Sequence, residues 1–242
     1  MAKCLGSMNG VVLLSEIHPM GVQYSNPLAQ AMQWYPGLLD VAEVRQLLAS
    51  KPSFREVMLH INSKAQARGK RLVIRDWSHL DFTGVPFIPT PSYRLSTAAA
   101  FLPGARLIQA VCVRHPIDQW LSVSKLEIMQ GKIELPAFLE GCRRFAEEAV
   151  KIGFVRYEDF TRDPDGVLKL LCEQLEIEFD PGYRERWAAY GNVTGDGVGR
   201  GANFREIKSM PRAEVSESLI GQFGSNQNYR IACELLDYKH PE

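Results

Sequence analysis

Arg114 and Ser122 stand eight residues apart at the join between an apolar run and a helix, in L-I-Q-A-V-C-V-R-H-P-I-D-Q-W-L-S (residues 107–122). Arginine is permanently charged and presents a planar fork of N–H donors, which suits a tetrahedral anion. Pro116 is tolerated in the first turn of a helix, so the helix begins just after Arg114 and offers its N-terminal amides to the same place. Arg114, that helix N-terminus and the Ser122 hydroxyl together would make an anion pocket. A surface ion pair and an ordinary helix serine fit the same residues, and spacing alone leaves both open. Other chemically capable residues come after other apolar runs. Glu16 and His18 come after Val11–Leu14, Arg75-Asp76-Trp77-Ser78-His79 after Arg71–Ile74, and Tyr157-Glu158-Asp159 closes Phe154–Tyr157. A carboxylate or imidazole there could take a proton, and an arginine could face an anion. The plainer alternatives are an arginine-paired or turn-capping Glu16, an Arg75–Asp76 pair, hydrogen-bonded structural histidines, a core tyrosine and a solvated Arg200.

These residues need strands that end together. Leu107–Val113 is short, uncharged and β-branched, which predicts a strand buried on both faces. Val11–Leu14, Arg71–Ile74 and Phe154–Tyr157 read as three more. Between them lie helical patterns: Asn26–Tyr35 with Asn26 as cap and Pro27 first, Asp40–Ala49, and a run from Ser53 whose S-x-x-E forms a capping box. Leu95–Leu102 is a short helix, and Leu135–Ile152 carries a continuous apolar stripe closed by Gly153. Asp163-Pro164 starts another, Tyr183–Tyr190 a shorter one, and Asn226–Leu236 the last. Ala2–Leu5 reads as the end of a helix with Gly6 near its C-cap, and residues 82–93, rich in Pro and aromatics, as an ordered loop. Strands alternating with helices predict an α/β fold with a mostly parallel sheet between helical layers. Ligands of such sheets bind beyond the strands' carboxyl ends. With no repeats or linker, residues 1–242 read as one domain.

The 242 residues carry 28 Lys plus Arg against 28 Asp plus Glu, so no global basic field points to nucleic acid, and any anion site must be local. Five cysteines, Cys4, Cys112, Cys142, Cys172 and Cys233, are odd in number and lack C-x-x-C spacing. Cys112, Cys142 and Cys172 fall on apolar faces and read as small core residues, and the set argues against structural zinc or a disulfide framework. That composition favours a reducing, cytoplasmic setting. No apolar run reaches the roughly 18 residues of a membrane span.

Arg114-His-Pro-Ile-Asp-Gln-Trp-Leu-Ser122 resembles the 3′-phosphate-binding motif of sulfotransferases that use 3′-phosphoadenosine 5′-phosphosulfate (PAPS). Residues 154–171, F-V-R-Y-E-D-F-T-R-D-P-D-G-V-L-K-L-L, resemble the family's second signature, and the two stand in the family's order and separation. The segment holding Gly195, Asp196, Gly199 and Arg200 is similar, more loosely, to the loop that closes over PAPS. Together the resemblance covers about residues 5–238. It implies a P-loop-type sulfotransferase fold and sulfuryl transfer to a hydroxyl on a small molecule, glycan, lipid or peptide. PAPS would be the co-substrate, and no metal is required.

By that resemblance Arg114, Ser122 and Arg200 hold the 3′-phosphate and Tyr157 neighbours the adenine. Glu16 takes the acceptor proton, with His18 and His79 as rival bases, and Arg75 faces the sulfonate, oriented by Asp76. From aromatic content alone, apart from the resemblance, Trp34, Tyr35 and residues 82–93 would line an acceptor pocket. The family's first strand and its R-S-G-T-like 5′-phosphosulfate loop have no match in the chain. Cys4–Glu16 matches the part of the family pattern that comes after that loop, so strand and loop are expected to precede Met1, a natural variant without the loop being the alternative. The late glycine run lacks the Lys or Arg plus Ser/Thr of a phosphate loop. A catalytically inactive, truncated remnant or a nucleotide-binding module of the same fold is the alternative. A P-loop nucleotide kinase fits poorly for want of a Walker-type loop.

Overall fold

In a computed structural model, residues 1–102, 104–195, 206–209 and 211–240 are described. The chain is α/β, about half helical, with short strands that pair in parallel. They form two two-stranded sheets, and the chain divides into two compact units that each hold one.

The first unit comprises Met1–Trp77, Leu95–Ile108 and Leu168–Ile207. Strand β1 (Val11–Ile17) pairs with β2 (Arg71–Asp76), from Val11 opposite Arg71 to Ser15 opposite Arg75. Both strands run past their apolar cores, so the polar residues read as strand exits are their last rungs. The register slips between Ser15 and Ile17, and Glu16 is held at φ 56°, a left-handed conformation rare outside glycine. Val12, Leu14 and Ile17 pack with Leu28 and Ala31 of the Pro27–Trp34 helix and with Val57, Met58 and Ile61 of the Phe54–Gln66 helix. Both helices start as their sequences dictate. Asn26 Oδ1 accepts from the Leu28 and Ala29 amides, and Ser53 and Glu56 close a capping box.

The outer edge of β1 is closed by side chains. Tyr35 Oη accepts from the Leu13 N–H (2.7 Å) and donates to the Leu13 carbonyl (2.9 Å). Two residues on, the Gln30 amide accepts from the Ser15 N–H and donates to the Ser15 carbonyl, both at 2.8 Å. Alternate residues of a strand address the same edge, and a primary amide carries the same donor and acceptor as a peptide group. Tyr35 and Gln30 thus stand where a further strand would pair. Tyr35 is structural in this role, its hydroxyl also lying 2.8 Å from that of Tyr190.

The second unit comprises Ser78–Arg94, Gln109–Val167 and Lys208–Glu242. Strand β3 (Val111–Val113) pairs with β4 (Phe154–Arg156), Val111 opposite Phe154 and Val113 opposite Arg156. The strand expected over Leu107–Val113 is therefore only its last three residues. A strand needs a partner for its ladder, and β4 offers three residues before Tyr157 opens a helix. Burial on both faces fails too, because Cys112 is solvent-facing between buried Val111 and Val113. The Leu135–Ile152 helix joins the strands, and its stripe of Phe138, Leu139, Ala146 and Ala149 is buried. It packs against the Gln227–Leu235 helix, where Tyr229, Ala232 and Cys233 are buried. At Gly141 the backbone of another element comes close: a Cβ there would stand 2.2 Å from the Phe82 carbonyl oxygen. The helices His79–Phe82 and Glu217–Ser225 were not legible as helices in the sequence. Among the described residues no helix is long and apolar enough to cross a membrane.

Candidate functional site

In the first unit, the carboxyl ends of β1 and β2 bring Glu16 and Arg75 together, with Glu16 Oε1 3.2 Å from Arg75 Nη2. The other arm of the guanidinium, Nη1, donates to Ser15 Oγ (2.9 Å) and to the Thr194 carbonyl (2.8 Å). Ser15 is fully buried, and its backbone is gripped by Gln30, whose amide also donates to Ser25 Oγ (2.7 Å). The Thr194 N–H reaches Ser15 Oγ at 3.1 Å. Gly195 then turns at φ 80°, where a Cβ would stand 2.6 Å from Glu16 Oε1. Glycine is needed there both for its backbone and for the space it leaves the carboxylate. The cluster is an ion pair whose cation is held from behind, at the sheet edge where α/β folds bind ligands. Such a cation can face a developing negative charge without reorganising.

Glu16 and Arg75 were both legible as strand-end residues, and they meet. Of the plainer alternatives, arginine pairing is the one Glu16 adopts. The carboxylate that pairs with Arg75 is thus Glu16, while Asp76 accepts from Thr97 Oγ1 at 2.6 Å. Ser15 and Thr194 were missed. Ser15 left a faint signal, a hydroxyl closing an otherwise apolar strand run. Thr194 left none, since 179 residues separate the partners. His18 is buried, and its Nδ1 accepts from the Met20 N–H at 3.1 Å, a turn contact.

In the second unit, Val113 and Arg156 are direct partners across the β3–β4 ladder, so Arg114 and Tyr157 leave the sheet side by side. The Arg114 guanidinium carbon lies 5.3 Å from the Tyr157 ring centroid, a cation–π distance. Ser122 is exposed on the Pro116–Val123 helix. The helix starts as the sequence indicated, with Pro116 in its first turn, and its cap is the His115 side chain, whose Nδ1 accepts from the Ile117 N–H at 3.2 Å. Burial pushes the His115 imidazole below its usual pKa, with the Arg212 charge acting in the same direction.

Glu158 does more than the turn or capping role its place in the sequence suggests. One carboxylate oxygen accepts from the His115 N–H (3.0 Å) and the other from the Tyr238 hydroxyl (2.7 Å). It thereby ties the exit of β3 to the C-terminal segment. Asp159 accepts from Arg156 Nε at 2.8 Å. His79 sits in the His79–Phe82 helix with Nδ1 2.5 Å from Thr83 Oγ1, and burial lowers its pKa. The structure brings Glu16 together with Arg75, and Arg114 with Tyr157. Arg200 lies outside the described residues. Among the described residues no cluster of three His, Cys, Asp or Glu side chains could hold a metal ion.

No protein-family model matches the chain, and no curated protein matches it in sequence. Two solved structures match it in fold. One is the sulfotransferase domain from the curacin biosynthetic pathway (TM-score 0.62, 15% identity, covering 99% of this chain and 93% of that one). The other is the sulfotransferase domain from the Synechococcus PCC 7002 olefin synthase (TM-score 0.63, 17% identity, 99% and 90%).

Proposed function

From the sulfotransferase fold of this chain, we propose that it transfers a sulfuryl group from PAPS to a hydroxyl acceptor. One observation carries the reading beyond fold: Arg114 and Tyr157, the two residues picked out by motif, leave adjacent parallel strands together and stack. An arginine beside an aromatic face suits a nucleotide, the ring for the base and the guanidinium for phosphate. In this reading Arg114, Ser122 and Arg200 bind the 3′-phosphate and Tyr157 lies against the adenine.

Sulfuryl transfer resembles phosphoryl transfer in passing through a loose, anionic transition state, so catalysis rests on positioning and charge. The acceptor oxygen bonds to sulfur as the sulfur–oxygen bond to the 5′-phosphate breaks, and adenosine 3′,5′-bisphosphate leaves. Glu16 takes the acceptor's proton and Arg75 balances charge on the sulfonate oxygens. His79, whose pKa is lowered by burial, is the alternative base. The acceptor class is a hydroxyl on a small molecule, glycan, lipid or peptide.

Adenosine 3′,5′-bisphosphate is expected to raise the melting temperature, and Arg114→Ala to remove most of that shift. Transfer of radiolabelled sulfuryl from PAPS to a panel of hydroxyl acceptors tests turnover. A wild-type chain that the nucleotide does not stabilise would sink the proposal. Stabilisation without transfer to any acceptor would favour the nucleotide-binding module instead.

A further inference from the structure

Arg114 and Tyr157 meet at 5.3 Å, and Arg114 is exposed while His115 beside it is buried. The residues that flank the pair, His115 on one strand exit and Arg156 and Glu158 on the other, are all gripped by one short segment, residues 237–239. Arg156 Nη1 donates to the Asp237 carbonyl (2.7 Å) and to Asp237 Oδ2 (3.2 Å). Glu158 accepts the Tyr238 hydroxyl proton on one oxygen (2.7 Å) and the His115 N–H on the other (3.0 Å). The Tyr238 ring meets the His115 ring at a centroid distance of 5.0 Å, and the Arg156 guanidinium carbon lies 5.9 Å from its centroid. Because His115 Nδ1 accepts from the Ile117 N–H, the neutral ring carries its proton on Nε2, which lies 3.4 Å from the Lys239 carbonyl.

The His115 N–H belongs to the planar peptide group that joins His115 to Arg114. Its bond to Glu158 therefore fixes the plane from which the Arg114 backbone leaves the sheet. The segment is in turn aimed by the end of the Gln227–Leu235 helix. The Tyr238 N–H donates to the Cys233 carbonyl (2.9 Å) and the Asp237 N–H to the Glu234 carbonyl (3.3 Å), with Asp237 at φ 53°. This is the ending in which glycine is usual at the left-handed position. Aspartate there adds a side-chain acceptor for Arg156 that glycine lacks.

We propose that Tyr238 and Glu158 are positioning residues for nucleotide binding: segment 237–239 clasps the neighbours of Arg114 and Tyr157 and so holds guanidinium and ring together for the ligand. The step from clasp to nucleotide rests on the function proposed above. Groups that are already ordered lose less freedom on binding, so opening the clasp lowers affinity.

Calorimetric titration of the full chain, well below its melting temperature, measures affinity for adenosine 3′,5′-bisphosphate and separately for inorganic phosphate. Tyr238→Phe keeps the ring and removes only the bond to Glu158, and should weaken nucleotide binding roughly fivefold. Glu158→Ala loses both bonds and should weaken it roughly thirtyfold. Glu158→Gln can accept from the His115 N–H and donate to Tyr238 Oη, and should stay within about twofold of the parent. In an Arg114→Ala background Tyr238→Phe should add little, the coupling expected of a residue that acts through the arginine. Gly141→Ala strains the same unit at its contact with Phe82, and should leave affinity unchanged.

Tyr238→Phe and Glu158→Ala chains that bind the nucleotide as tightly as the parent overturn the inference and leave the proposed function intact. So does a Gly141→Ala chain that loses as much affinity as they do, or a full additional loss from Tyr238→Phe on top of Arg114→Ala. The function fails by itself when the parent binds no adenosine 3′,5′-bisphosphate, and inorganic phosphate then decides the clasp. Phosphate binding that needs Arg114 and weakens in Tyr238→Phe upholds it as a device for an anion site, while equal binding in the variant, or none in the parent, overturns it.

Discussion

At the scale of single residues, the side chains that matter are defined by what they touch. His115 shows this for proton binding. Its ring is buried, accepts from the Ile117 N–H, and packs against Tyr229 and Tyr238 at centroid distances of 6.2 and 5.0 Å. Arg212, Asp118 and Glu158 are the charges that face it. Its pKa is lowered on folding, so the unfolded chain takes up the proton first as pH falls. Stability from this group is complete above the unfolded value near 6.5 and is lost as pH drops below it toward the folded value. His79, also lowered by burial, acts in the same direction. Melting temperature should therefore fall between pH 7.5 and 5. His115→Asn, which keeps an acceptor for the helix cap, should flatten part of that fall. An unchanged pH profile in the variant would place the effect elsewhere. Arg114, Glu16 and Arg75 were legible as residues because each closes an apolar run. The contact of Thr194 with Ser15 was not, because it is made only after folding.

At the scale of elements, local signals were legible and paired ones were not. The Asn26 cap and the Ser53–Glu56 box lie within one helical turn of what they cap, so sequence alone carries them. The lengths of β1 and β3 depended on distant partners, and both were misjudged, one short and one long. The side-chain closure of β1 makes the same point energetically. Gln30 is 6% exposed and satisfies both backbone groups of Ser15. Gln30→Ala leaves a buried donor and acceptor without those partners and should cost about 2–4 kcal/mol. Tyr35→Phe, which removes only the hydroxyl from Leu13, should cost about 1–2 kcal/mol. Urea denaturation midpoints measure both, and a near-neutral Gln30→Ala would show that water replaces the amide. Gly141→Ala should also destabilise, by roughly 1–3 kcal/mol, because the new methyl meets the Phe82 carbonyl.

At the scale of the whole molecule, fold class was legible from the alternation of apolar runs and helical stripes, and two solved sulfotransferase domains match 99% of the chain. That the strands would divide into two pairs was not legible, since composition and periodicity do not say which strands meet. Ligand binding acts on the stability of the chain through mass action. Adenosine 3′,5′-bisphosphate at about a hundred times its dissociation constant should add roughly 2.7 kcal/mol, visible as a shift that grows with the logarithm of ligand concentration. A shift that stops growing while the site is still titrating would mean the unfolded chain binds it too. The closed edge of β1 has one more consequence, for how copies of this protein behave in a crowded solution. Val11–Leu14 is apolar, uncharged and free of proline, the composition that recruits strands from other molecules when its edge lies open. Tyr35 and Gln30 deny that edge to any neighbour. A chain carrying both Tyr35→Phe and Gln30→Ala should accordingly be one that forms fibrils on storage.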